Sequence, residues 1–131
     1  MCSSDLGKRI LAFQNATYLL TPQFAAIAKD NPLYVEIDNQ ASQIPMLYLD
    51  RTDVIIIERS IFAYYLNREQ QNKRVDVSRP YTLHNIFAPS PRYVGFHDIK
   101  LRDAFNEGLR AIRSSGEYKK ILTKYAIDQP N

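Results

Sequence analysis

The sequence has few of the residues that carry covalent or metal chemistry. Cys2 is the only cysteine among 131 residues, so no disulfide can form within the chain. The two histidines, His84 and His97, have no cysteine near them, which disfavours a zinc site. The four glycines form no phosphate-binding loop, and no serine lies in a nucleophile-elbow pattern. We therefore expect no metal, no cofactor and no catalytic residues.

Long apolar runs and clustered charges are also absent. The longest aliphatic run covers residues 54–57, whereas a membrane-spanning helix needs about 20 apolar residues. The opening residues lack the basic start and apolar middle of a signal peptide. The net charge is +3, but the densest basic clusters are dipeptides, which favours a solvated surface over a nucleic-acid interface.

Short apolar runs alternate with segments of helical spacing in the first half of the chain. Residues 9–13, 33–37 and 53–57 predict strands, and the unbroken β-branched run of the third predicts burial on both faces. Thr21 and Pro22 mark the start of a helix that runs to about Lys29. Further helices are predicted over residues 41–49 and 60–67.

The second half predicts two short strands and two helices. Residues 75–77 and 93–96 are expected to be strands, with an irregular proline-containing segment at 78–91 between them. Leu101, Phe105, Leu109 and Ile112 mark an amphipathic helix that Gly116 ends, and a second helix follows around residues 118–125.

This order predicts an α/β fold with a mostly parallel sheet, followed by two C-terminal helices. Ligands of such sheets bind at the carboxyl ends of the strands, where loops and helix starts converge. The turns after Phe13 and after Ile57 are therefore the candidate binding positions.

Three segments occur in an order typical of one protein family. The first reads D-L-G-K-R at 5–9 and continues to Q-N-A-T at 14–17. The second reads D-R-T-D-V-I-I-I-E at 50–58. The third comprises L-R-D-A-F-N-E-G-L at 101–109 and G-E-Y-K-K-I-L-T-K-Y at 116–125. In these segments the chain resembles bacterial extracellular solute-binding proteins of family 3, the substrate-binding components of polar amino acid ABC transporters.

The resemblance implies a type 2 periplasmic-binding-protein-like lobe. Residues 5–91 would form the second, ligand-binding lobe, and residues 92–131 would supply a return strand and helices that belong to a first lobe. That first lobe is not found in this sequence, so we expect a truncated protein. The family implies a periplasmic location, a membrane permease as partner, and binding of a small polar solute rather than catalysis.

The family also implies which residues bind the solute. Asn15, Ala16 and Thr17 match the turn that holds a ligand carboxylate, and Glu58 matches the acid that holds its ammonium. The family has glycine at the position of Ala16 and usually aspartate at that of Glu58. Taken without the resemblance, residues 14–17 are an ordinary strand-to-helix turn, and Glu58 is a favourable charge at a helix start.

Two other functions remain open from the sequence. The parent protein could be a sensor whose solute-binding lobes control a signalling domain. It could also be a catalytic, dehydratase-like relative of the fold, although no paired acid and base is evident in the sequence.

The two C-terminal helices predict self-association, because their apolar stripes lack the first lobe against which the family packs them. We expect sedimentation velocity to show species larger than the monomer, together with binding of a dye that reports exposed apolar surface. A sharp monomer peak without dye binding would contradict this prediction.

Overall fold

The computed structural model describes residues 7–125. These residues fall into two compact units that divide between Phe87 and Ala88. The boundary predicted from the sequence, between residues 91 and 92, lies a few positions further along the chain. Within the described part of the chain, no helix is both long and apolar enough to cross a bilayer.

The first unit contains three strands and four α-helices among its described residues. In chain order they are β1 (Ile10–Phe13), α1 (Ala16–Leu19), α2 (Pro22–Asp30), β2 (Tyr34–Ile37), α3 (Gln43–Tyr48, preceded by a 3-10 turn at Gln40–Ser42), β3 (Val54–Ile56) and α4 (Arg59–Asn72). The strands form a parallel sheet in the order β2-β1-β3, which confirms the predicted α/β fold class.

Central strand β1 is the most buried of the three. Its Leu11 and Ala12 are buried, and Ile10 lies opposite Tyr34 of β2 and Val54 of β3. The predicted burial of β3 on both faces is met in part: Ile55 and Ile56 pack against buried clusters on opposite faces, but the residues of β3 are only half-buried. Among residues 7–125, β3 pairs with β1 alone and lies at an edge of the sheet, which leaves it less buried than the central strand.

Helix α2 starts at the residues predicted from the sequence. The Thr21 hydroxyl accepts a hydrogen bond from Phe24 N at 3.2 Å, and Pro22 is the first residue of α2. Helix α4 extends beyond its predicted end at residue 67, to Asn72. The added residues are polar, but Arg, Glu and Gln are good helix formers, so they continue the helix.

Helices cover both faces of the sheet. One buried cluster contacts Ile55 and Ile57, and a second contacts Ile56, whose side chain points to the opposite face. The first cluster comprises Ile44, Tyr48, Phe62, Leu66 and Val77, and the second comprises Ala12, Ala16, Phe24 and Ala28. The first unit is therefore a three-layer arrangement of helix, sheet and helix.

Arg9 links the start of β1 to the start of β3 by an ion pair and hydrogen bonds. Its Nη2 lies 2.7 Å from Asp53 Oδ1, and its backbone N donates to Asp53 Oδ2 at 2.8 Å. The Thr52 hydroxyl donates to Arg9 O at 2.8 Å. Hydrogen bonds from the side chain and backbone of Arg9 lower the pKa of Asp53 to about 2. Asp53 therefore has a structural role.

Gln43 joins β1 and β3 from a fully buried position. Its Nε2 donates to Leu11 O at 3.1 Å and to Ile56 O at 3.0 Å. One buried side chain thereby donates to carbonyls on two neighbouring strands.

The second unit contains α5 (Ile99–Ser114) and α6 (Glu117–Lys124). The Asp98 carboxylate caps α5 by accepting from Lys100 N at 2.7 Å, and Gly116 between the helices has a φ of 79°, as the predicted helix end requires. Ile99, Leu101 and Phe105 of α5 are exposed.

The strands predicted at 75–77 and 93–96 are wrong: neither segment is a strand. Tyr93 is 88% exposed and Val94 61%, so the apolar run at 93–96 is not buried as a strand of this kind would be. A strand needs a neighbouring strand for its backbone hydrogen bonds, and the three-stranded sheet provides none here among residues 7–125. Apolar β-branched and aromatic residues alone do not form a strand.

Replacing Gln43 with methionine tests the bridge between β1 and β3. Gln43→Met keeps the size of the side chain but leaves the carbonyls of Leu11 and Ile56 without this donor. We expect the free energy of unfolding, measured by urea denaturation, to fall by about 2 kcal/mol. The matched control is Gln23→Met on the exposed face of α2, with an expected change within about 0.5 kcal/mol. Equal effects of the two substitutions would contradict the bridging role.

Candidate functional site

The predicted site residues lie at one edge of the sheet. Asn15, Ala16 and Thr17 directly follow β1, and Glu58 follows β3, the parallel neighbour of β1. We call this edge, formed by the ends of the three strands and the residues after them, the carboxyl edge. It is the position at which open α/β sheets bind ligands.

The turn after β1 places its strained backbone at Asn15 rather than at Ala16. Asn15 has a φ of 65°, a left-handed conformation that asparagine adopts more readily than most residues. Ala16 begins α1, is fully buried, and packs in the cluster with Ala12 and Phe24. The alanine therefore fits this turn without positive φ, but its enclosed methyl group offers no surface to a solute.

The donors of this turn already bind a carboxylate, that of Glu36 on β2. Glu36 Oε1 accepts from Thr17 N at 2.9 Å, Thr17 Oγ1 at 2.9 Å and Tyr34 OH at 2.8 Å. Glu36 Oε2 accepts from Asn15 N at 2.7 Å. Asn15 and Thr17 thus donate to one carboxylate, and that carboxylate is an internal one. A solute carboxylate would have to displace Glu36 to use the same donors.

Hydrogen bonding keeps the Glu36 carboxylate ionised. Partial burial alone would raise the pKa of Glu36, but the donors of Thr17, Tyr34 and Asn15 outweigh it and hold that pKa below its usual range. Burial, together with the hydrogen bond to Glu36, raises the pKa of Tyr34, so its phenol keeps its proton and donates. The cluster therefore presents a fixed negative charge at neutral pH.

Glu58 caps helix α4. Its Oε2 accepts from Ser60 N at 2.9 Å and Ile61 N at 3.0 Å, and its Oε1 accepts from Ser60 Oγ at 3.2 Å. Glu58 therefore has the helix-start role that was the alternative to solute binding in the sequence analysis. The side chain is exposed, so the carboxylate stays accessible from solvent while it caps the helix.

The structure does not join Glu58 to the turn after β1. Within residues 7–125, no hydrogen bond connects Glu58 with Asn15, Ala16 or Thr17. Glu36 lies in β2 and Glu58 follows β3, and these strands pair with opposite sides of β1, so that they are two strand spacings, or roughly 10 Å, apart. The carboxyl edge therefore carries two carboxylates flanking the central strand.

Glu36 was missed in the sequence, although a signal for it exists. It is the one charged residue in the predicted strand L-Y-V-E-I at 33–37. A charged side chain in a mostly apolar strand needs partners, and polar residues at strand ends are where partners occur. What the sequence could not give is which neighbouring turn supplies them.

Other candidate groups do not assemble. His84 and His97 lie in exposed segments, and across residues 7–125 no three side chains of His, Cys, Asp or Glu come together as metal ligands do.

Comparison with known proteins does not assign this chain to a family. No family model matches the chain, and neither a curated protein nor a solved structure does. The fold and the contacts at the carboxyl edge are therefore the observations from which a function is inferred.

Replacing Glu36 with glutamine tests whether this carboxylate holds the turn together. Because the folded-state pKa of Glu36 is lowered, its stabilisation is present above the unfolded pKa and is lost as the pH falls through the folded pKa. We expect Glu36→Gln to lower the free energy of unfolding at neutral pH by about 1–2 kcal/mol and to flatten its decline below about pH 4.

The measurement is urea denaturation from neutral to acidic pH, with Glu107→Gln on the exposed surface of α5 as the control. If the free energy of unfolding depended on pH in the same way for the wild type and for Glu36→Gln, the four hydrogen bonds would not stabilise the ionised form of Glu36.

Proposed function

We propose that this chain is a solute-binding lobe of the kind found in family 3 extracellular solute-binding proteins. It would work in the periplasm and deliver a small polar, amino acid-like solute to the permease of an ABC transporter. The observation that carries the proposal is the gathering of Asn15, Thr17, Glu36 and Glu58 at the carboxyl edge of a parallel sheet. No enzymatic step is part of it.

The solute is proposed to approach this edge with its ammonium group first. The backbone donors that would take its carboxylate already bind Glu36, whereas Glu36 Oε2 accepts only one hydrogen bond and Glu58 is exposed. An exposed carboxylate and a half-buried one favour a cation, and a charge-assisted hydrogen bond to either one is stronger than a neutral bond. Solutes with a basic group therefore fit the edge better than acidic ones.

The remaining contacts are proposed to come from a first lobe outside these 131 residues. The resemblance implies that such a lobe supplies aromatic stacking and an arginine for the solute carboxylate. Closure of two lobes around a solute is a common hinge motion, and it follows differential affinity for the closed state. Helices α5 and α6, which expose Ile99, Leu101, Phe105 and Ile121, are proposed to pack against that lobe.

Half of a cleft should bind weakly and with a preference for positive charge. In calorimetric titrations with the common amino acids, we expect dissociation constants of roughly 1 mM or weaker, equivalent to about −4 kcal/mol, with lysine and arginine binding best. Glu36→Gln and Glu58→Gln should each weaken binding several-fold, because each removes one negative charge from the carboxyl edge. Glu107→Gln removes a charge from α5 and should leave the affinity unchanged.

Two results would contradict the proposal. A dissociation constant below about 1 μM for the chain alone would show that no second lobe is needed. Equal affinity for acidic and basic amino acids, unchanged by Glu36→Gln, would show that the carboxylates of the edge do not select an ammonium.

A further inference from the structure

The outer edge of strand β2 has no neighbouring strand in the part of the chain that the structure describes. The order β2-β1-β3 places β2 at one end of the sheet, where it pairs with β1. Ile10 N donates to Leu33 O at 3.1 Å, and Ile10 lies opposite Tyr34. In a parallel ladder a residue bonds the two neighbours of its partner, so Leu33 and Val35 direct their backbone groups towards β1. The backbone N–H and C=O of Glu36 therefore point away from the sheet.

One face of β2 is apolar and exposed. Side chains alternate between the two faces of a strand, so Leu33, Val35 and Ile37 share a face. Val35 lies level with Leu11 and Ile55, and Ile55 packs on the buried cluster of α3 and α4. Leu11 is buried, yet Val35 is 53% exposed and Leu33 is 44% exposed, so these helices leave the face open at β2. An edge strand with exposed apolar side chains is a template for pairing with another strand.

The sequence of β2 is complementary to itself in an antiparallel pair. When Val35 lies opposite Val35 of a second copy, Leu33 lies opposite Ile37 of that copy, so every pair on the exposed face is apolar. On the other face, Tyr34 lies opposite Glu36. Because Val35 directs its backbone inward, it forms the close, non-hydrogen-bonded pair, and Glu36 N reaches Tyr34 O of the second copy.

The two neighbouring registers are less favourable. One sets Glu36 opposite itself, which places like charges together. The other sets Glu36 opposite Pro32, which has no N–H to donate. In the register centred on Val35 the two Glu36 side chains are only diagonal neighbours, and each stays bound to the turn after its own β1. The sequence therefore specifies one antiparallel register.

We propose that two copies of this chain pair through the outer edges of β2, with Val35 on the two-fold axis. The two three-stranded sheets then form one continuous sheet. Each pairing strand has only four residues, so the interface is small and we expect a dissociation constant on the order of 100 μM. The inference is independent of solute binding, since it uses the backbone of β2 and its apolar face rather than the carboxylates of the carboxyl edge.

The first test is sedimentation equilibrium of the full chain between about 10 μM and 1 mM, a range that brackets the expected dissociation constant. We expect a monomer–dimer equilibrium. Val35→Lys sets two like charges against each other on the axis and should weaken dimerisation at least tenfold. The matched control is Val94→Lys, at a valine that is 61% exposed and lies outside the sheet, and it should leave dimerisation unchanged. Circular dichroism checks that both variants are folded.

The second test is disulfide trapping in a Cys2→Ser background, which removes the only native cysteine. In the proposed pair the Cα atoms of the two Val35 residues are about 4.5 Å apart, which a disulfide can span. The two Leu33 residues are offset by four positions, or about 14 Å along the strands. Val35→Cys should therefore oxidise to a covalent dimer at least tenfold faster than Leu33→Cys, although both side chains are exposed.

Three outcomes would overturn the inference. One is a wild-type chain that remains monomeric at about 1 mM, well above the expected dissociation constant. Another is equal association of folded Val35→Lys and Val94→Lys, which would assign the association to another surface, such as the exposed face of α5. The third is equal oxidation of Val35→Cys and Leu33→Cys, which would exclude a two-fold axis at Val35. The cysteine comparison decides the matter even if Val35→Lys fails to fold.

Discussion

Strand β1 is the constraint on which the rest of the first unit depends, because among residues 7–125 it is the only strand with a partner on both sides. Side chains hold it to its neighbours at three levels. Arg9 binds β3 where the strand begins, Gln43 bridges to β3 in the middle, and Glu36 reaches from β2 to the turn where the strand ends. All three contacts join residues distant in sequence, so they form only when the sheet is in register.

The last of these contacts determines what the carboxyl edge can recognise. A turn with free backbone donors would attract an anion, whereas the same turn closed by Glu36 presents a negative charge. One glutamate on a neighbouring strand thus reverses the electrostatic preference that the turn has by itself. The arrangement also makes the site rigid, since four hydrogen bonds position the carboxylate before any solute arrives.

Local signals in the sequence were sufficient for most of the first unit. Thr21 and Pro22 predicted the start of α2, and the three apolar runs predicted the three parallel strands. The errors share a physical cause: strand 93–96 was expected from residue type, but pairing is a property of distant neighbours. The site was only partly predictable for the same reason, because the bond between Thr17 and Glu36 joins two elements whose pairing no local pattern encodes.

The edge position of β3 has a consequence for the unfolded chain. Residues 54–57 form an uncharged β-branched run without proline, the composition that favours intermolecular cross-β stacking. Asp53 and Glu58 flank this run directly, and charged residues in such positions oppose aggregation. The two acids that fasten β1 and cap α4 in the folded protein therefore also act as gatekeepers during synthesis and refolding. Neutralising both would remove this protection together with the ion pair to Arg9 and the cap of α4.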